Sequence, residues 1–238
     1  MINNDAWPSL WRRHLDKYLS KPARTGFWMD TWFGSRASSF LELGCGSGRD
    51  SVYLAERGHT VVGTDLDAET LAELQRRFED KGAPFQPADA ANLDFPDNSF
   101  DVVFHNGLWV LFDDDQFIHR MLEEQVRVAR KYAVIIVHNA ENPTLVKSFG
   151  KRAEEDELYD IRFFDHESVR AVVEASGVRY KEIEFLKFGG RMDLLYQKKR
   201  VKKFVPNVFW PVRHLAVPRL YQMESWDKIE RVACVLTL

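Results

Sequence analysis

The chain has 238 residues, 45% of them hydrophobic and 29% charged, with a formal net charge of −3. That suffices for one large core with an insertion, and no apolar run approaches the ~18 residues of a membrane-spanning helix. The two cysteines, Cys45 and Cys234, make neither a disulfide framework nor a metal site, and the start MINNDAWPSL lacks the charged-then-apolar pattern of a signal peptide, so a cytoplasmic protein is expected.

Taken in order, Pro8 to Tyr18 and Phe27 to Phe33 carry aromatic and aliphatic residues at helical spacing and predict two short helices, a helical cap over residues 1–36. Trp11, Tyr18 and Trp28 are either lid residues over a site or plain core. Phe40 and Leu41 end a buried strand that runs into Gly44, Gly46 and Gly48, and helical spacing resumes from Ser47 to Arg57. Thr60 to Gly63 is short and β-branched, as suits a strand buried on both faces, and Asp65 follows at its carboxyl end. Asp67 is expected to cap a helix to Lys81 that Gly82 closes. Phe85 to Ala88 and Phe100 to His105 read as the third and fourth strands. Asp113 to Asp115 cap a helix to about Ala129, and Tyr132 to Val137 is the fifth strand, ending on His138 and Asn139. A polar loop follows, then a helix from Asp165 to Ser176 stopped by Gly177, a sixth strand from Lys181 to Phe188, and a seventh from Val232 to Leu238.

Strands alternating with helices predict an α/β fold with a parallel sheet covered on both faces. The carboxyl ends of such strands open on one crevice, so the glycine loop and Asp65 face the same ligand. An ordinary strand-to-helix turn would use the same glycines. A dinucleotide loop needs a third glycine where Arg49 and Asp50 stand, and no phosphate loop of the Gly-Lys-Ser/Thr kind is present.

The stretch Glu42-Leu-Gly-Cys-Gly-Ser-Gly48 resembles the cofactor loop of the class I S-adenosylmethionine-dependent methyltransferases, and Pro87 to Leu108 resembles that family's next two cofactor segments, in the right order and at the right distance. The resemblance covers roughly residues 38 to 138. It implies a Rossmann-like seven-stranded sheet of order 3-2-1-4-5-7-6 with the seventh strand antiparallel. It also implies S-adenosyl-L-methionine as cofactor, with Glu42, Gly44, Cys45, Gly46, Gly48, Asp65, Leu66, Asp89, Ala90 and His105 as its site. In relatives the position of Asp65 takes the ribose hydroxyls, that of Asp89 the adenine amino group, that of Ala90 a ring nitrogen through its N–H, and that of His105 the cofactor's amino group through its backbone carbonyl.

Methyl transfer then centres attention on the ends of the fourth and fifth strands. His105 and His138 are candidate bases, because an ordinary histidine titrates near neutrality. Asn106, Trp109, Asn139 and Trp210 are candidate substrate residues. From Leu194 to Met223 there is no acidic residue, seven positive charges, and several aromatics including Trp210 and Tyr221. That composition, within an insertion spanning about 190–228, suits an anionic partner or a membrane surface at the substrate entrance; a contact between copies of the chain is the plainer alternative. The expected activity is methyl transfer to a small molecule, anionic or linked to a lipid or sugar. A non-catalytic protein of the same fold and an RNA methyltransferase are the alternatives, and no DNA partner is expected.

Overall fold

The structure, a computed structural model, describes residues 7–191, 193 and 213–238. Its centre is a seven-stranded sheet of order β3-β2-β1-β4-β5-β7-β6, with β1 at Ser39–Leu43, β2 at Thr60–Asp65, β3 at Phe85–Pro87, β4 at Phe100–Asn106, β5 at Ala129–His138, β6 at Glu182–Phe188 and β7 at Arg231–Thr237. β1 to β5 pair in parallel, and β7 lies antiparallel between β5 and β6. The sheet thus has the order and direction that the class I resemblance implied.

Alternation along β5 explains the two layers. Val134 and Ile136 point to one face, where Trp28, Met29 and Phe33 of α2 (Arg24–Phe33) bury against them together with Phe40, Phe104 and Phe188. Ala133, Ile135 and Val137 point to the other, against Ile118, Met121 and Leu122 of α5 (Asp115–Val128) and Val169, Val172 and Val173 of α7 (His166–Ser176). Each of the Val, Ile, Leu, Met and Phe side chains contributes about 1.5–3 kcal/mol by leaving water. α1 (Trp7–Leu19) lies outside this double layer, and α3 (Arg49–Glu56) and α4 (Ala68–Arg77) follow β1 and β2.

Local signals set most boundaries. Asp165 and Ser168 form a reciprocal cap at the start of α7, and Gly177 at φ +70° ends it. Asp114 is the residue that caps α5, accepting from Gln116 N at 2.9 Å. The expected cap by Asp67 is not formed: its carboxylate accepts from the Thr70 hydroxyl instead and bonds no backbone N–H of α4.

The polar loop after β5 is also corrected. It contains α6 (Pro143–Ala153), whose Asn142 cap accepts from Leu145 N at 2.9 Å with Pro143 in the first turn. No residue of α6 is buried; Leu145 and Phe149, on one face, line the cavity instead. The last helix, α8 (Arg213–Met223), lies within the stretch expected to be an exposed basic insertion, but Val217 and Tyr221 are fully buried against α2 and β6. Trp210 and Lys198 to Lys203 lie outside the described residues.

Candidate active site

One cavity of ≈ 760 Å³ opens at the carboxyl ends of the parallel strands. Its first wall is the glycine loop. Gly44, Gly46 and Gly48 all have φ between +52° and +63°, a region closed to most L side chains, and this lets the chain turn from β1 into α3. The loop is fastened to β2, because Gly46 N donates to Asp65 Oδ2 at 2.9 Å and Cys45 N to the Thr64 carbonyl at 2.8 Å. Asp65 Oδ1 also accepts from Asp67 N at 3.2 Å, yet a carboxylate has about four lone-pair sites and keeps capacity for two hydroxyls. Burial pushes its pKa up, opposed chiefly by the Gly46 N–H. Leu66, 67% exposed, stands beside it at the cavity edge.

Asp89 and Ala90 line the same cavity in a tight turn in which Asp89 Oδ1 accepts from Ala91 N at 2.9 Å. Glu42 lies under the loop, its Oε2 accepting from both the backbone and the hydroxyl of Ser51, and burial followed by the Asp50 charge drives its pKa up to about 8. Cys45 lines the cavity, and burial raises its thiol pKa, which disfavours the reactive thiolate. The glycine cradle, the Asp65 carboxylate and the room available fit an adenosyl sulfonium cofactor. Gly44, Cys45, Gly46, Asp65, Leu66, Asp89 and Ala90 would hold it, with Glu42 beneath. Gly48 serves the loop from behind: a Cβ there would meet Phe85 at 2.5 Å.

α1 roofs this half. Trp7, Trp11 and Tyr18 line the cavity, and a Cβ on Gly46 would come within 2.7 Å of the Trp11 ring. Trp28, the third candidate lid residue, is instead wholly buried in the core.

The far half is built from the ends of β4 and β5, α6, and the 3-10 turn at Glu157–Tyr159. Asn106 lines it, with Nδ2 donating to Thr25 Oγ1 at 2.8 Å and a buried Oδ1 that has no partner. His138 lines it too, edge-on to Phe149 at 5.0 Å, and burial, with the charges of Arg231 and Arg24, holds it well below its ordinary pKa.

Three expected side chains sit elsewhere. The His105 side chain is 1% exposed, points away from the cavity, and has its pKa driven down to about 3 by burial, so it is no base. Trp109 is fully buried, 5.5 Å from His105 and 6.3 Å from Phe164 between ring centroids. Asn139 is likewise buried, its amide donating to the carbonyls of Trp226 and Ile229, so it ties β5 to the approach to β7 rather than touching substrate.

Sequence reading missed the cations of the far half. Arg24 pairs with Asp193 and Glu230. Arg152 Nη2 donates to Tyr159 Oη at 3.0 Å, and Arg231 lies at the head of β7. No spacing rule joins these residues; only the fold does.

Comparison with known proteins agrees with this geometry. Residues 40–132 match the family model described as a methyltransferase domain. The fatty-acid O-methyltransferase of Mycolicibacterium smegmatis is 40% identical over 67 residues, 27% of this chain and 24% of that protein. The phosphatidylethanolamine N-methyltransferase of Cereibacter sphaeroides is 31% identical over 109 residues, 44% of this chain and 52% of that protein. The chain thus spans between a quarter and about half the length of these curated relatives. A crystal structure of a SAM-dependent methyltransferase from Archaeoglobus fulgidus superposes with a TM-score of 0.61 at 15% identity, covering 90% of this chain and 93% of that one.

Proposed function

The chain carries a class I S-adenosylmethionine-dependent methyltransferase domain, and from that premise we propose that the protein transfers a methyl group from S-adenosylmethionine to a small-molecule acceptor. One observation carries the reading: a single cavity joins the glycine loop, Asp65 and Asp89 to a second, differently built wall around Asn106, His138 and Tyr159.

The cofactor supplies an activated methyl on a sulfonium, and the protein's share is alignment and exclusion of water. The Gly46–Asp65 bond fixes the loop, while Trp7 and Trp11 cover it. Asn106 Oδ1 offers an acceptor at the junction of the two halves. His138 is neutral at working pH, so it offers a hydrogen-bond acceptor without repelling a cationic sulfonium, while its lowered pKa disfavours full proton transfer to it.

The names of the two curated relatives, one acting on fatty acids and one on a phospholipid, support an acceptor with an apolar body. Phe149, Leu145 and Leu158 supply matching surface in the far half. The test is release of S-adenosylhomocysteine over a metabolite panel split into lipid-linked, sugar, quinone and RNA pools, alongside thermal shifts with S-adenosylmethionine and NAD. Turnover with one small-molecule pool is expected. A larger shift with NAD would sink the reading, and binding without turnover in any pool would leave a cofactor-binding protein of the same fold.

A further inference from the structure

Resting on the methyl-transfer reading, we propose that the acceptor carries an oxyanion, a carboxylate or phosphate, which Arg231 and Arg152 hold beside His138. Arg231 opens β7 in register with His138 of β5 on one side and Phe188 of β6 on the other, so it stands at the rim of the cavity it lines. Its Nη1 is buried and bonds to nothing. A buried guanidinium N–H without a partner is costly, and an anion at the cavity would satisfy it.

The carboxylates nearby are already engaged. Glu230 and Asp193 both pair with Arg24. Among the described residues no carboxylate lies within ion-pair distance of Arg231 or Arg152. Residues 194–212 contain neither Asp nor Glu, and Asp5 is the one acidic residue among those not described. Burial, opposed chiefly by the Glu230 charge, lowers the Arg231 pKa to about 10, so it remains a cation at neutral pH.

Arg152 completes the subsite. Its guanidinium lies 3.9 Å from the centre of the Tyr159 ring, and the Tyr159 hydroxyl accepts from both Arg152 and Lys17 at 3.0 Å. Tyr159 also hydrogen-bonds the Tyr18 hydroxyl, so its oxygen holds Arg152 in place rather than serving the acceptor itself. Two planar forks suit the geometry of a carboxylate or phosphate better than that of a neutral polar group. Phe149, edge-on to both His138 and Tyr159 at 5.0 and 5.6 Å, gives the acceptor's body an apolar neighbour.

The test uses the full chain saturated with S-adenosylhomocysteine and three probes that share one tail: octanoate, octyl phosphate and octanol, titrated by calorimetry at constant ionic strength. At least one anion is expected to bind about 10-fold or more tightly than octanol, and which anion does so distinguishes carboxylate from phosphate. Arg231→Gln should erase that preference and leave S-adenosylhomocysteine affinity unchanged. If this variant does not fold, Arg152→Gln carries the same readout. Equal binding of all three probes, no binding of either anion, or a preference that survives the substitution overturns the proposal. So does a loss of S-adenosylhomocysteine affinity in Arg231→Gln, which would assign Arg231 to the cofactor's own carboxylate. Failure of the wild-type chain to bind S-adenosylhomocysteine would instead strike the methyl-transfer reading, because the probe series repeated without it still reads the subsite.

Discussion

The Trp11 indole lies flat enough against Gly46 that a Cβ on that glycine would fall 2.7 Å from Trp11 Cζ2, closer than such atoms approach in folded proteins. The roof helix and the cofactor loop are therefore fitted to each other at a point where only hydrogen suffices. Gly46→Ala should lose about 1–2 kcal/mol of stability from its φ of +52° alone, plus the clash. Adding Trp11→Ala should recover the clash and not the backbone part. Urea unfolding of both single variants and the double variant measures that coupling, and strictly additive losses would show that the contact is not energetically real.

Asp65→Ala should abolish most of the thermal shift given by S-adenosylmethionine or S-adenosylhomocysteine. The carboxylate would accept from two ribose hydroxyls in bonds each worth ~1.5–3 kcal/mol. It also anchors Gly46, so the variant should bind worse even to fragments that lack the ribose. Calorimetry with both ligands checks this, and unchanged affinity would remove Asp65 from the site.

Glu42 makes stability depend on pH in a direction opposite to an ordinary salt-bridged carboxylate. Its pKa is about 8 in the folded chain against an ordinary 4.5, with burial the larger cause. Between those values the unfolded chain has released the proton that the folded chain keeps, so this contribution is complete below about 4.5 and is lost as pH rises through about 8. Glu42→Gln should therefore gain on the wild type as pH increases across that interval. Denaturant midpoints at about pH 5 and about pH 8 provide the comparison, and a difference that does not grow with pH would mean Glu42 is ionised in place.

His105 acts with the reverse sign. Burial lowers its pKa from 6.5 to about 3, so below 6.5 the unfolded chain takes up a proton that the folded chain refuses. The stability it contributes is present above 6.5 and lost as pH falls toward 3. Neither ring nitrogen has a partner, so His105→Met relieves an unsatisfied polar ring at similar volume. The variant should match or exceed the wild type in melting temperature, gain most at acid pH, and keep its turnover. A large fall in kcat would restore His105 to the chemistry.

The cofactor half was legible because its residues are near neighbours in sequence: a glycine turn, a strand end at Asp65 and a second turn at Asp89 recur at set distances. The far half was not. Arg24, Arg152 and Arg231 come from α2, α6 and the head of β7, and their meeting is purely tertiary. α6 was readable and missed: Asn142-Pro143 is an adequate start signal, and Leu145, Phe149 and Ala153 fall on one face. Trp109 and Asn139 misled for the converse reason. A polar or aromatic residue just past a strand end looks available, yet here both turn inward, one to fill a layer and one to bond two carbonyls. Tyr221 lies in a basic stretch that reads as solvent-facing, while its ring seals the core.

β6 runs toward the cavity and β7 runs away from it, with Phe188 and Arg231 paired across the two strands. The connection between them therefore leaves the sheet and rejoins it at one rim, on the far-half side of the cavity. Two anchor points so close together make the connection a natural unit to exchange: a swap between related chains is expected to shift acceptor preference and leave S-adenosylhomocysteine affinity unchanged.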